Sequence, residues 1–190
     1  MTELKRKTKE TDISVSVDIN GKGLASISSG VGFLDHMLES FSKHSYMNIT
    51  VDCKGDTHID DHHSVEDIGI VLGQALKKEI FPIENVERFG NATVLMDEAS
   101  VSCDIDLSNR PFLHCNLDVE GSVGSFDVQL VEEFFHAFAL NAGLTMHIVQ
   151  NRGKNKHHII EATFKSVAVA LRRALKREER AGIPSTKDIL

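Results

Sequence analysis

Two short motifs of the sequence combine side chains that bind metal ions. Each has two adjacent histidines followed by a glutamate, and the members are His62, His63 and Glu66, then His157, His158 and Glu161. Imidazole and carboxylate ligands without thiolates suit octahedral manganese, iron or cobalt, whereas zinc is possible but usually takes four ligands. The motifs therefore predict a metal centre, and manganese is the favoured ion.

Helical spacing separates the two histidines of a motif. His62 and Glu66 are i, i+4 neighbours on one face of a predicted helix, while His63 is rotated by about 100° and points elsewhere. A pseudo-twofold relation between the motifs then predicts two crossed sites: His62, Glu66 and His158 for one metal, and His157, Glu161 and His63 for the other. His36 is the candidate for one missing ligand, and the matching helix of the second half should supply the other.

The elements that position these motifs repeat along the chain. One offset of 95 residues maps the first motif onto the second, and each motif follows a predicted helix, a strand and a polar loop with glycine. The predicted elements are a hairpin within 13–28, a helix 30–44, a strand 47–53 and a helix from about 64, then strands within 92–106 and 112–119, a helix 127–141, a strand 144–150 and a helix to about 180.

This order predicts an internally duplicated α+β fold. Each of two similar half-domains, 1–90 and 91–190, would be a mostly antiparallel sheet covered by two helices. Each half alone offers a small core, so the halves should pack together as a single fused catalytic domain.

Composition narrows the class of protein. The chain has 190 residues, 41% of them hydrophobic, and a net charge of −7 that is spread along the sequence, which argues against nucleic acid or an anionic membrane as partner. Three cysteines without a CxxC pair argue against a disulfide framework, and the charged start of the chain lacks an apolar signal. We expect a cytoplasmic protein.

Further segments complete a recognisable pattern. In order they are Arg6–Thr11 (RKTKET), Gly32–Leu38 (GFLDHML), Asp60–Ile70 (DDHHSVEDIGI), Arg110-Pro111, Asn141–Ile148 (NAGLTMHI), Gly153–Lys165 (GKNKHHIIEATFK) and Pro184–Lys187 (PSTK). Over essentially its whole length the sequence resembles the imidazoleglycerol-phosphate dehydratase family. The resemblance implies dehydration of imidazole glycerol phosphate to imidazole acetol phosphate in histidine biosynthesis, with two Mn²⁺ per site that bind the substrate ring as an imidazolate. It also implies a homo-oligomer, a 24-subunit octahedral shell with sites at subunit interfaces.

The resemblance also assigns roles to single residues. Glu10 becomes the general acid and base that acts on the C2 proton of the substrate, and His36 and Glu161 join it in the catalytic set. Substrate contacts fall on Glu10 and on His44, Arg88, Arg110, Lys165, Ser185 and Lys187, of which the cations and the hydroxyl would hold the phosphate.

One position departs from the family pattern. Several members carry a histidine ligand on the second-half helix where this sequence has Glu133. Glu133 can ligate as a carboxylate, His136 can take over one turn later, or a water can fill the place, and we expect Glu133. Asp188 also replaces a common glycine after the PSTK segment, which leaves the path of the C-terminal tail open.

Two other functions fit the metal motifs. A dimetal phosphoester hydrolase would use the metals to activate water. A metal-storing or metal-assembled shell would use the same ligands without catalysis.

Overall fold

A computed structural model describes residues 1–186 of the chain. The first half contains strands β1 to β4 and helices α1 and α2. Their bounds are β1 Thr2–Lys7, β2 Thr11–Asp18, β3 Ala25–Ser28, α1 Gly32–Ser45, β4 Asn48–Gly55 and α2 His62–Ile80. The alternating side chains of β2 bury Ile13, Val15 and Val17 against the helices. This alternation is the pattern expected of a sheet with one covered face.

The second half repeats this order with one short hairpin inserted. Its elements are β5 Phe89–Met96, β6 Ala99–Asp106, β7 Phe112–Asn116, β8 Ser122–Val123, β9 Phe126–Asp127, α3 Leu130–Ala142, β10 Thr145–Arg152 and α4 Lys156–Ala174. The strand orders are β1-β2-β4-β3 and β5-β6-β10-β7, so corresponding strands occupy corresponding places. In each sheet the last pairing is parallel and the other two are antiparallel. The predicted fold class is confirmed.

The hairpin predicted within 13–28 is wrong. β3 pairs in parallel with β4, and β2 pairs with β1 on one side and with β4 on the other. The sequence prediction missed β1 because its side chains alternate between exposed and half-buried, with Leu4 the member that packs against the core. Charged, weakly apolar edge strands of this kind are common because they discourage edge-to-edge association.

The helices of the two halves pack on one another between the sheets. α1 contacts α4, and α2 contacts α3. Gly69 and Gly73 lie one turn apart on α2, and a Cβ at Gly73 would come within 2.6 Å of the Phe138 carbonyl oxygen on α3. The two backbones therefore meet where side chains are absent.

Some predicted bounds need correction. α4 ends at Ala174 and does not reach residue 180, because the chain turns back there and Arg177 forms a β-bridge with Val86 in the linker between the halves. The division at residues 90 and 91 stays a prediction, and β5 already begins at Phe89. None of the described helices combines the length and apolar character that crossing a membrane requires.

Candidate metal centre

The start of α4 is fixed by two side chains. The side chain of Asn155 accepts hydrogen bonds from the backbone N–H groups of His157 and His158. Glu98, in the β5–β6 turn, accepts backbone N–H bonds from Lys154 and Asn155 at 3.2 and 2.8 Å. These bonds satisfy donors that a helix N-terminus leaves unpaired, and they orient the second motif.

Three potential ligands meet where α1 lies against α4. Nε2 of His157 is 3.2 Å from Oε2 of Glu161, one turn along α4, and Nε2 of His36 is 3.7 Å from the same oxygen. Among residues 1–186, this is the one set of three whose ligand atoms all lie within 4.8 Å of one another. An ion placed there would have two imidazole ligands and one carboxylate ligand.

Glu161 also binds Lys165. The ammonium group of Lys165 lies 2.6 Å from Oε1 of Glu161. Burial opposes ionisation of Glu161, but the hydrogen bond and charge of Lys165 outweigh it and lower the pKa of the carboxyl group. Burial lowers the pKa of His44, and the positive charges of Lys165 and Arg172 add to that effect. Glu161 is therefore an anion at neutral pH. The predicted substrate contacts Lys165 and His44 both lie near this cluster.

His158 faces away from this cluster. Its Nδ1 lies 2.7 Å from Oε2 of Glu98, and its Nε2 is 3.9 Å from Asp97. The hydrogen bond raises the pKa of His158 and, with the N–H groups of Asn155 and Lys154, lowers the pKa of Glu98 to about 2. Glu98 is therefore a carboxylate acceptor at neutral pH.

The first motif has a related arrangement at the start of α2. Nε2 of His62 is 3.8 Å from Glu66, and both side chains are more than two-fifths exposed. Nδ1 of His63 lies 3.0 Å from Asp56, whose hydrogen bond raises the pKa of His63. Nε2 of His63 is 3.9 Å from Oε1 of Glu10, so the predicted base lies beside the predicted ligand.

A buried carboxylate holds the strand ends around Glu10. Asp67 on α2 is buried, binds Arg6 at the end of β1 and accepts a hydrogen bond from the Thr11 hydroxyl at 2.5 Å. The residues on both sides of the turn that carries Glu10 are thus tied to the helix that carries His63. Glu10 itself remains about half exposed.

The predicted crossed sites are not formed within one chain. His63 contacts acidic side chains of the first half and His158 those of the second half. Glu133 is half-buried on α3 and His136 is exposed, and in the described residues neither belongs to a set of three close ligands. The choice between these two residues stays a prediction, as do the crossed sites.

The predicted phosphate contacts lie at the other end of α4. Arg88, Arg110 and Ser185 line one cavity of about 730 Å³. Arg88 pairs with Asp106 and donates to the Pro184 carbonyl, whereas Arg110 is 71% exposed. The structure therefore brings three of the predicted phosphate contacts together and leaves Lys165 beside Glu161, while Lys187 and Asp188 lie outside the described residues.

Sequence reasoning missed Asp56 and Glu98. Each lies in a turn of charged residues, where an acidic side chain is ordinarily solvent-exposed. A signal for Glu98 was present, because Glu98 precedes β6 as Glu10 precedes β2, so the two glutamates occupy equivalent positions in the two halves. No comparable signal marks Asp56.

The duplicated α+β fold carries a cluster of imidazole and carboxylate groups that could hold a metal ion, as metal-dependent enzymes do. The sequence pattern of the imidazoleglycerol-phosphate dehydratase family matches residues 29–171. Imidazoleglycerol-phosphate dehydratase of Sulfurimonas denitrificans is 65% identical over the full length of both chains, and that of Campylobacter concisus is 60% identical over 99% of this chain and 97% of its own.

Solved structures agree with this match. The Staphylococcus aureus imidazoleglycerol-phosphate dehydratase has a TM-score of 0.82 at 41% identity, over 93% of this chain and 98% of its own. The Pyrococcus furiosus enzyme has a TM-score of 0.85 at 38% identity, over 98% and 100%. The chain belongs to the imidazoleglycerol-phosphate dehydratase family.

Membership in this family decides between the predicted reactions. The chain is a hydro-lyase that acts on a small-molecule substrate in the dehydration step of histidine biosynthesis. The alternative of a dimetal phosphoester hydrolase is not favoured. The resemblance inferred from the sequence motifs is confirmed.

Proposed function

We propose that the enzyme dehydrates imidazole glycerol phosphate to imidazole acetol phosphate with two Mn²⁺ per active site. The observation that carries the proposal is the convergence of His36, His157 and Glu161 from both halves of the chain. This donor set contains no thiolate, and its nitrogen and carboxylate ligands suit manganese. Two bound cations would acidify the ring N–H of the substrate and so help the neighbouring hydroxyl to leave.

Glu10 is proposed as the general acid and base. Its carboxylate lies 3.9 Å from Nε2 of His63 and is about half exposed. Within residues 1–186, no lysine or arginine forms an ion pair with it. Glu10 takes the proton from C2 of the substrate and returns it to the hydroxyl that departs from the adjacent carbon, so that one water leaves. The enol then becomes the ketone as its hydroxyl proton moves to the carbon that lost the hydroxyl. His36 and Glu161 would hold the metal that binds the imidazole ring of the substrate.

The phosphate is assigned to the cations and the hydroxyl of the predicted set. Arg88, Arg110 and Ser185 share a cavity large enough for a phosphate group. The Asp106 carboxylate holds the guanidinium of Arg88 in one orientation, which suits recognition of a dianion. Lys165, His44 and Lys187 complete the proposed substrate contacts, and Lys165 would exchange part of its bond to Glu161 for the substrate.

Distances along α4 support sites shared between subunits. The backbone N–H of Arg88 donates to the carbonyl of Ala174 at the C-terminal end of α4, whereas His157 lies at its start. Seventeen residues of helix separate these ends by roughly 26 Å. A substrate of one five-membered ring and a three-carbon phosphate ester cannot span that distance, so Arg88, Arg110 and Ser185 of one subunit serve the metal ligands of another.

This geometry supports the proposed homo-oligomer, a shell of 24 subunits with active sites at the interfaces. In such an assembly His63 and His158 would complete the crossed metal sites from neighbouring copies. Cys53, Cys103 and Cys115 are free thiols, which fits the proposed cytoplasmic location.

A product assay tests the chemistry. Protein depleted of metal with a chelator is reloaded with Mn²⁺, Zn²⁺ or Mg²⁺ and given imidazole glycerol phosphate. We expect imidazole acetol phosphate with Mn²⁺ and little product with Mg²⁺, which binds imidazole weakly. Release of inorganic phosphate without the acetol product would overturn the proposal.

Light scattering tests the sharing of sites. Chelation should reduce the mass of the assembly as well as its activity, because each metal would join ligands from two subunits. Return of Mn²⁺ should restore both. A chelated sample that keeps its full mass would contradict interfacial metal sites.

A further inference from the structure

We propose that Glu98 and Asp56 are positioning residues that hold His158 and His63 in the tautomer that binds a metal through Nε2. The inference rests on the proposed function, in which both histidines are metal ligands. Beyond that function, we infer that the two halves use non-equivalent carboxylates to orient their equivalent histidines. This difference leaves Glu10 free to act on the substrate.

The contact of Glu98 determines which nitrogen of His158 is available. An ionised carboxylate only accepts hydrogen bonds, so the 2.7 Å contact with Oε2 places the ring proton on Nδ1. Nε2 then carries the lone pair that a metal requires. The second oxygen of Glu98 accepts the backbone N–H groups of Lys154 and Asn155, which prevents the carboxylate from turning away.

Asp56 does the same for His63. Its two carboxylate oxygens lie 3.0 and 3.2 Å from Nδ1, and its side chain is only 14% exposed. Asp56 directly follows the last residue of β4, so a regular element fixes its position. Nε2 of His63 is again the nitrogen left for a metal.

The two carboxylates are not counterparts in the duplication. Thr11 begins β2 and Ala99 begins β6, and each is preceded by a glutamate, Glu10 or Glu98. Glu98 binds Nδ1 of its histidine, whereas Glu10 lies 3.9 Å from Nε2 of His63. The equivalent glutamates therefore face opposite nitrogens of equivalent rings.

A difference in loop length explains the exchange. Lys54 and Arg152 are equivalent, since they pair with Asp12 and Ser100 at the same places in β2 and β6. Eight positions lead from Lys54 to His62, but only five lead from Arg152 to His157. The longer loop of the first half begins with Asp56 beside His63, which releases Glu10 from the positioning task.

Mn²⁺ titrated back into the chelator-treated protein at one fixed protein concentration tests this inference, and the free ion is measured from its electron paramagnetic resonance signal. In Glu98→Gln the amide oxygen can still accept the backbone N–H groups, but the amide NH₂ then faces Nδ1 and favours the wrong tautomer of His158. We expect Mn²⁺ affinity to fall about 10- to 100-fold at one site. Glu98→Asp keeps the carboxylate and should therefore lose less Mn²⁺ affinity than Glu98→Gln.

Glu178→Gln is the matched control. Glu178 also combines a backbone N–H bond with a side-chain partner, Arg180, but contacts no histidine. Its affinity for Mn²⁺ should stay within about twofold of the parent. An equal loss in Glu178→Gln and Glu98→Gln would overturn the inference.

The double variant separates positioning from a general structural effect. If Glu98 acts through His158, then Glu98→Gln should weaken Mn²⁺ binding no further once His158→Ala is present. Full affinity in His158→Ala would refute the proposed ligand and hence the proposed function. A loss in His158→Ala without one in Glu98→Gln, or additive losses in the double variant, would refute the positioning role alone.

The first half supplies a second comparison. Asp56→Asn should weaken Mn²⁺ binding as Glu98→Gln does, whereas Glu10→Gln should leave it within about twofold. If Glu10→Gln weakened binding as much as Asp56→Asn, the proposed division of tasks in the first half would be wrong.

Discussion

The two halves of the chain share a backbone plan but assemble their metal ligands to different degrees. In the second half, His157 and Glu161 of α4 meet His36 of α1, and Glu161 is nearly buried. In the first half, His62 and Glu66 on α2 remain more than two-fifths exposed, and α3 places Glu133 where α1 has its histidine. Duplication thus preserved the positions of the elements, while single side chains were reassigned within them.

Glu10 in the β1–β2 turn and Glu98 in the β5–β6 turn show the largest functional difference between the halves. Glu10→Gln should lower kcat for dehydration by about 100- to 10,000-fold, because an amide cannot take the C2 proton. Mn²⁺ content and assembly mass should remain unchanged. Glu3→Gln, at an exposed position of β1, serves as the control, and retained turnover in Glu10→Gln would remove Glu10 from the mechanism.

The second largest difference concerns the ligand on the helix before each motif, which is His36 on α1 and the predicted Glu133 on α3. Glu133→Ala should weaken Mn²⁺ binding by about 100-fold, since loss of a direct ligand costs at least as much as loss of its outer partner. His136→Ala, one turn further along the exposed face of α3, should change the affinity less than twofold. Free Mn²⁺ measured at equilibrium decides, and the reverse ranking would assign the ligand to His136.

The packing of α2 on α3 allows a test of stability. Gly→Ala within a helix usually stabilises it, but a Cβ at Gly73 would lie 2.6 Å from a backbone oxygen of α3. Gly73→Ala should therefore lower the free energy of unfolding by ~2 kcal/mol. Gly32→Ala on α1, where a Cβ meets nothing within 4 Å, is the control in urea unfolding at one protein concentration. Equal stability of the two variants would contradict the close approach.

Helix capping gives the smallest expected difference. Asn155 caps α4 with its side chain, whereas Asp61 at the start of α2 makes no such bond. Asn155→Ala should lower the free energy of unfolding by ~1 kcal/mol, and Asp61→Ala should change it by only a few tenths. The same urea measurement compares them, and equal losses would show that the caps contribute alike.

Much of the fold could be predicted from the sequence because its signals are periodic. The alternation of Ile13, Val15 and Val17 and the repeated motifs identified the strands and the duplication. The pairing of β3 with β4 could not be predicted, because a turn at Asn20-Gly21 favours a hairpin locally while β4 competes for the same edge of β2. Tertiary pairing decided against the local signal.

The site was predictable only in part, because tertiary packing and not local spacing brings some of its residues together. His157 and Glu161 share a helix face, so their spacing determines their approach. The contact of His36 with Glu161 depends on how α1 crosses α4, which no local pattern encodes. No spacing distinguishes Asp56 in its turn, and Glu98 is marked only by its equivalence to Glu10. Only the folded chain shows that the oxygens of both residues bind histidine nitrogens.

The most direct test of the account is a crystal structure of the Mn²⁺-loaded assembly with anomalous scattering measured at the manganese edge. We predict two manganese peaks per active site, one at His157 and Glu161 and the other at His62 and Glu66. Each should be completed by the outward histidine, His63 or His158, of a neighbouring subunit. A single peak, or two peaks whose ligands all come from one chain, would contradict the crossed, shared sites.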